Sequence, residues 1–279
     1  MHAPRLMAVL AHPDDESLAV GGTLAKYASE GVHVFLLTAT RGDGGRYRGL
    51  DSSDPRHPGP EALAKIREAE LREAAARLGV REVSLLDYRD RQLAHANAEH
   101  VVADIVGHLR RVRPDVVVTF GPEGAYGHPD HIAISQLTTA AIIAAGNPEF
   151  DHDGAKAAAR PHSVSKLYYI AWPASTWAAY QAAVRTLTST VDGVERTVLP
   201  WPDWAITTVI NTSAFWPTVW RAISCHESQV ASYERLKNLP PALHESLWGC
   251  QSFYRTFSTV NGGRDRETDL FEGIDNRPL

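Results

Sequence analysis

Short apolar runs that alternate with helix-patterned segments constrain the fold of this chain more than any other feature. The runs are apolar almost throughout, as in strands that are buried on both faces of a sheet. The predicted strands are 6–11, 32–38, 83–86, 115–120, 167–171 and 206–211. The predicted helices are 16–30, 62–78, 98–112, 130–145 and 213–229. This alternation predicts an α/β fold with a doubly wound, mostly parallel sheet flanked by helices.

The two halves of the chain differ in composition, but no flexible linker separates them. The 279 residues suffice for one large α/β domain. We expect its core over about 1–146, and we expect 147–279 to complete the same domain and to wall its pocket. In that C-terminal part, 147–161 is predicted to be a surface excursion, and 172–220 holds six of the seven tryptophans. The prediction is a single domain, 1–279, with C-terminal elaborations.

Charge and cysteine content exclude several classes of partner. The formal net charge is −5 and the basic residues form no tract, so neither a nucleic-acid nor a membrane partner is indicated. No apolar stretch is long enough for a signal sequence or a membrane span. Two cysteines, Cys225 and Cys250, are too few for a disulfide scaffold, so a reducing, cytoplasmic setting is expected. Composition leaves the oligomeric state open.

Two short polar clusters each follow an apolar run. The first, at 11–16, is Ala-His-Pro-Asp-Asp-Glu, and the second, at 126–131, is Tyr-Gly-His-Pro-Asp-His. Both lie at the carboxyl ends of predicted strands, which is the edge where open α/β sheets bind ligands. His12 and Asp15 are three residues apart at a strand-to-helix turn, and His131 comes from the other cluster. We therefore expect these three side chains to meet.

Two imidazoles and one carboxylate with an open fourth position are the ligand pattern of catalytic zinc. The sequence therefore predicts one Zn²⁺ per chain, bound by His12, Asp15 and His131, although Fe²⁺ accepts the same ligand types. Such an ion lowers the pKa of its bound water from 15.7 to about 7, which favours a hydrolase. The alternative is helix capping, for which Pro13 and Asp14 are well suited. Capping does not explain the histidines.

The other polar residues of the clusters suit acid–base chemistry on an amide. Asp14 is the candidate general base, which would accept a proton from the bound water and pass it to a leaving amine. A protonated His128 and the hydroxyl of Tyr126 are expected to stabilise the tetrahedral oxyanion. Asp130 is expected to orient a neighbouring imidazole.

At these residues the sequence resembles the PIG-L/LmbE-like zinc-dependent N-acetylglucosaminyl deacetylases. The likeness rests on the two clusters and on Thr-Arg-Gly-Asp at 40–43, and it covers the first 145 residues best. It implies a Rossmann-like fold and a hydrolase that removes acetyl from a small N-acetylglucosamine-like amino sugar. It also implies the metal, base and acid roles given above, and it adds Arg67 and Asp90 as residues that contact the sugar.

Two other functions stay open at this stage. A related amidase would cleave a larger amide, such as a thiol conjugate, at the same site. A non-catalytic sugar-binding domain would keep the fold, although the intact set of ligands and base argues against it. The loop 43–60 matches no pattern of the family, so the sequence predicts no particular N-acetylated substrate.

Overall fold

One twisted sheet organises the chain. The computed structural model describes residues 3–150, 160–184, 188–191, 194–197, 200–263 and 265–274. The strands are β1 Arg5–Leu10, β2 His33–Thr40, β3 Glu82–Tyr88, β4 Val116–Phe120, β5 Lys166–Ile170, β6 Thr188–Val191, β7 Val194–Thr197, β8 Thr208–Asn211 and β9 Cys250–Ser258. Among the described residues, seven strands form the sheet in the order β3-β2-β1-β4-β5-β9-β8, and β6 and β7 form a separate hairpin.

Helices cover the sheet and connect its parallel strands. They are α1 Asp15–Ser29, α2 Pro60–Arg77, α3 Ala98–Val112, α4 Gly124–Gly127, α5 Pro129–Gly146, α6 Ala174–Val184, α7 Trp216–Ile223, α8 Val230–Lys237 and α9 Pro241–Trp248. Of these, α4 is a single distorted turn. None of the described helices is both long and apolar enough to cross a bilayer.

The predicted Rossmann-like, mostly parallel α/β fold is confirmed. Strands β1 to β5 pair in parallel, and β9 pairs antiparallel with β5 and β8. Because β8 and β9 continue the sheet begun by the first half of the chain, the fold is a single domain. The strand order reverses between β1 and β4, where α/β sheets bind ligands. The two polar clusters directly follow these two strands.

The second half differs from the sequence predictions in several elements. The single helix expected over 213–229 is wrong, because α7 ends at Ile223 and a separate 3₁₀ turn covers Glu227–Gln229. The backbone N–H groups of Cys225 and His226 bond to carbonyls three residues back, so the last helical turn tightens and stops. Strands β6, β7 and β9 and helices α6, α8 and α9 were not predicted. Most of the predicted excursion, 151–159, lies outside the described residues.

Helix α7 packs on α1, and a glycine in α1 lets the segment that leads into α7 approach closely. A Cβ atom on Gly22 would lie 2.8 Å from Cβ of Thr212, and one on Gly21 would touch Val219 at 3.5 Å. A side chain at Gly22 would therefore force the segment between β8 and α7 away from α1, whereas a methyl group at Gly21 would make only an ordinary contact with Val219.

Candidate active site

The first polar cluster makes a tight turn from β1 into α1. Asp14 adopts φ 104° and ψ −26°, a left-handed conformation that residues other than glycine rarely adopt. Helix α1 begins at the next residue, and the Asp15 carboxylate turns back to accept the backbone N–H of His12 at 2.8 Å. The turn therefore holds His12 and Asp15 together, as the sequence predicted.

The three predicted metal ligands converge across the switch point of the sheet. His12 Nδ1 lies 3.1 Å from His131 Nε2, and the Asp15 carboxylate lies 3.3 Å from His131 Nε2 and 3.7 Å from His12 Nδ1. The bonds of a tetrahedral zinc site are about 2.0–2.2 Å long, so its ligand atoms are about 3.4 Å apart. The observed spacings and donor types therefore fit a small divalent cation.

Two further carboxylates lie behind His12 and fix its orientation. Asp90 Oδ1 and Asp130 Oδ2 lie 3.0 Å and 3.3 Å from His12 Nε2. Burial would lower the pKa of His12, but these carboxylates together with Asp15 raise it to about 10. The charged ring carries a proton on both nitrogens: Nε2 points at Asp90 and Asp130, and Nδ1 faces His131 and Asp15, where a bound cation would replace its proton. This concentration of negative charge around His12 suits a cation.

Asp130 also ties the loop after β3 to the second cluster. The carboxylate is fully buried and accepts the backbone N–H groups of Arg91 at 2.6 Å and Leu93 at 3.1 Å. The structure thus places Asp130 beside the His12 imidazole, in the place expected for an orienting residue. Asp90 is 9% exposed, and its backbone N–H donates to Asp43 at 2.9 Å. One oxygen of Asp90 thus contacts His12 rather than facing open solvent.

His131 is oriented by stacking. Its ring lies parallel to that of Phe120, with centroids 4.0 Å apart, and it is 1% exposed. Its Nδ1 has no hydrogen-bond partner among the described residues, whereas metal-bound histidines commonly have one at this position. The last residue of β4 therefore fixes this imidazole in place of a polar partner.

His128 and Tyr126 border the same space. The His128 ring lies 4.7 Å from that of His12 and 5.0 Å from that of His131, and the Tyr126 ring lies 5.2 Å from that of His131. His128 Nδ1 accepts the backbone N–H of Asp130 at the start of α5, so a proton on this ring resides on Nε2. Burial, helped by the two neighbouring imidazoles, lowers the pKa of His128 to about 3. This favours a neutral N–H donor over the expected imidazolium.

Arg67 braces the turn that carries Asp14. It is 4% exposed and donates to Asp14 Oδ2 at 3.1 Å, to the carbonyl of Pro13 and to the carbonyl of Gly42 at 3.0 Å. A Cβ atom on Gly42 would lie 2.1 Å from Arg67 Nη1, which explains a glycine in the Thr-Arg-Gly-Asp segment. The structure thus gives Arg67 contacts with the candidate base.

Sequence analysis missed two buried residues behind this turn. Glu16 and His226 are both fully buried, and Glu16 Oε1 lies 2.8 Å from His226 Nε2. The only signal in the sequence was a glutamate at the start of an otherwise apolar helix face, which needs a partner when it is buried. The identity of that partner, 210 residues away, carries no signal of its own.

Comparisons with known proteins identify the family of the chain. The family model described as PIG-L, GlcNAc-PI de-N-acetylase, matches residues 7–142. A 1D-myo-inositol 2-acetamido-2-deoxy-alpha-D-glucopyranoside deacetylase of Kineococcus radiotolerans is 36% identical and covers 97% of this chain and 83% of its own. The enzyme of the same name from Rhodococcus jostii is 35% identical, over 98% of this chain and 99% of its own.

A solved structure shares the fold. The N,N'-diacetylchitobiose deacetylase from Pyrococcus horikoshii matches with a TM-score of 0.67 and 22% identity, over 91% of this chain and 84% of its own. At 22% identity, this match shows only that the two proteins share a fold. The sequence relatives, which are similar over nearly the whole chain, decide the family. The chain belongs to the PIG-L family of de-N-acetylases, which are hydrolases of amide bonds.

Proposed function

We propose that this chain is a zinc-dependent N-deacetylase of a small amino-sugar conjugate. The substrate class that fits best is an N-acetylglucosamine joined to an inositol, as in the names of the relatives that match nearly the whole chain. The observation that carries the proposal is the convergence of His12, Asp15 and His131 at spacings of 3.1–3.7 Å.

The residues that would hold the ion are His12, Asp15 and His131. A divalent cation held there supplies a Lewis acid, which polarises an amide carbonyl and makes a water molecule acidic. Asp90 and Asp130 keep the proton of His12 on Nε2, away from the ligand atom. Zinc is proposed because two imidazoles and a carboxylate match its preference in catalytic sites.

Asp14 would act as the general base. It accepts a proton from the attacking water and returns it to the amine nitrogen as the C–N bond breaks, so that acetate and a free amine leave. The bond from Arg67 at 3.1 Å supports this role because it orients the Asp14 carboxylate.

His128 and Tyr126 would stabilise the oxyanion of the tetrahedral intermediate. The neutral His128 ring keeps its proton on Nε2 and can donate it to a developing negative charge. Burial and the nearby charges of Asp15 and Asp14 raise the pKa of Tyr126, so its hydroxyl stays a donor at neutral pH. Both groups lie next to His131, and the carbonyl oxygen of the substrate amide would lie between them.

The C-terminal half would wall the substrate pocket. Trp201 Nε1 donates to Glu123 at 2.9 Å, and Glu123 directly precedes the turn α4, which contains Tyr126. The hairpin β6–β7 also lies against α4. These contacts support an enclosed pocket whose far side is formed by residues after 172.

Acetate release tests the proposal. Zinc-loaded enzyme is offered N-acetylglucosaminyl-inositol, free N-acetylglucosamine and a longer-chain amide of the same sugar. We expect the first to be turned over fastest. Asp14→Asn should keep its zinc while kcat falls by about 10²- to 10⁴-fold, whereas His131→Ala should lose zinc as well. No acetate from any N-acetyl amino sugar, or parallel loss of zinc and activity in Asp14→Asn, would contradict the assignment.

A further inference from the structure

The buried pair of Glu16 and His226 lies behind the turn that carries Asp14. His226 follows α7, and its Nε2 lies 2.8 Å from Glu16 Oε1, while Ser17 Oγ donates to the same oxygen. The other oxygen, Glu16 Oε2, accepts the backbone N–H of Asp14 at 2.9 Å. A continuous chain of hydrogen bonds therefore runs from the C-terminal half of the protein to the backbone of the candidate base.

Asp14 needs such support because its backbone conformation is unfavourable. A residue with a side chain at φ 104° stays there only when its surroundings hold it. Arg67 holds the Asp14 side chain, and Glu16 holds its N–H group. Without the Glu16 contact, the N–H of Asp14 would lose the partner that fixes the peptide between Pro13 and Asp14.

His226 is placed to keep the Glu16 carboxylate in position. A carboxylate only accepts hydrogen bonds, so Nε2 of His226 must carry the proton, and the buried Nδ1 has no partner among the described residues. The segment that holds His226 is itself anchored. Ser228 donates to Glu70 at 2.6 Å, and the N–H of Arg48 donates to the carbonyl of Ser228 at 2.6 Å.

We propose that His226 is a positioning residue for the reaction, which acts through Glu16 to hold Asp14 in its left-handed conformation. The inference rests on the proposed function only in taking Asp14 as the base. It gives the segment after α7 a role in catalysis although it lies outside the two polar clusters. A histidine that merely filled the core would be replaceable by any side chain of similar volume.

Two substitutions of His226 distinguish a positioning role from a role in filling the core. Gln can place its amide Nε2 near the position of the histidine Nε2 and donate to Glu16, whereas Leu has a similar volume and no donor. The matched control is His244→Leu, because His244 is also buried, donates through Nε2 to the carbonyl of Leu236 at 2.7 Å, and packs among tryptophans of the C-terminal half. All variants are assayed for kcat, KM, bound zinc and melting temperature.

We expect His226→Leu to lower kcat by about 10- to 100-fold, since a displacement of a catalytic group by about 1 Å has effects of this size. KM and bound zinc should change by less than about threefold, and His226→Gln should keep kcat within about threefold of the wild type. His244→Leu should lower the melting temperature without changing kcat per folded molecule. Equal kcat in His226→Leu and His226→Gln would overturn the inference.

Crystal structures of the two His226 variants provide a readout that is independent of activity. In His226→Leu, Asp14 should leave the left-handed region or lose its contact with Arg67, and in His226→Gln both should persist. An unmoved Asp14 in His226→Leu would overturn the inference whatever the kinetics. If the wild type releases no acetate, the proposed function fails, and these structures still decide whether His226 positions Asp14.

Discussion

Replacing Glu267 by Gln would measure how strongly the C-terminal segment is held on the sheet. Glu267 is 2% exposed. Its backbone N–H donates to the carbonyl of Thr207, and its carbonyl accepts the N–H of Val209, so it is joined to the residues on either side of Thr208. Among the described residues, five side chains donate to its carboxylate at 2.7–2.8 Å: Lys166, Tyr168, Thr208, Arg255 and Asn261. Lys166 is fully buried, so the substitution would leave its charge facing an amide.

The pKa of Glu267 gives the expected magnitude. Burial would raise this pKa, but the bonds from Lys166 and the other donors lower it from 4.5 to about 2. Because each tenfold change in proton affinity is about 1.4 kcal/mol, the ionised carboxylate contributes about 3 kcal/mol to the free energy of unfolding at pH 7. Breaking a buried ion pair on one side costs about 3–5 kcal/mol, which agrees. We expect Glu267→Gln to lose about 3–4 kcal/mol.

The pH dependence has a definite sign. The pKa is lower in the folded than in the unfolded state, so the stabilisation is complete above about pH 5 and declines as the pH falls towards 2. At pH 3 about 1 kcal/mol should remain. The difference in unfolding free energy between the wild type and Glu267→Gln should therefore shrink by about 2 kcal/mol between pH 7 and pH 3.

Urea unfolding at both pH values checks this, with Glu73→Gln as control. Glu73 pairs with Arg77 at 3.3 Å, but both side chains are more than half exposed, so the control should lose less than about 1 kcal/mol. A loss below about 1 kcal/mol for Glu267→Gln at pH 7, or the same loss at pH 3, would refute the reasoning.

Two further substitutions test the supports of the site and of α5. Gly42→Ala places a methyl group 2.1 Å from Arg67 Nη1 at a positive φ, so Arg67 must move; we expect kcat/KM to fall by about tenfold or more with zinc retained. Unchanged kinetics would show that the brace on Asp14 is dispensable. Arg110→Met removes a buried guanidinium that donates to the carbonyls of Ala145 and of 147 and 150. Thermal unfolding should show a loss of about 2 kcal/mol, and no loss would contradict the view that these bonds stabilise the C-terminal end of α5.

Sequence patterns captured the framework because they are short-range. Uniform apolar runs predicted the parallel strands. The rule that α/β sheets bind ligands at the carboxyl ends of their strands predicted that the two polar clusters lie close together. The sequence predictions were wrong or missing where the hydrophobic pattern was weak. In β9, polar and apolar residues are mixed and burial is partial, so no apolar run marks it. Near Ile223, a helical pattern continues although the helix stops.

The sequence by itself therefore determined the fold class and the residues that gather at the switch point, because local periodicity and strand polarity carry that information. Only the tertiary structure decided what holds them. It placed Asp90 behind His12, turned Arg67 toward Asp14, and joined Glu16 to a histidine 210 residues away. Partners so distant along the chain are chosen by how α2 and α7 pack around α1, and a linear pattern contains no record of that packing.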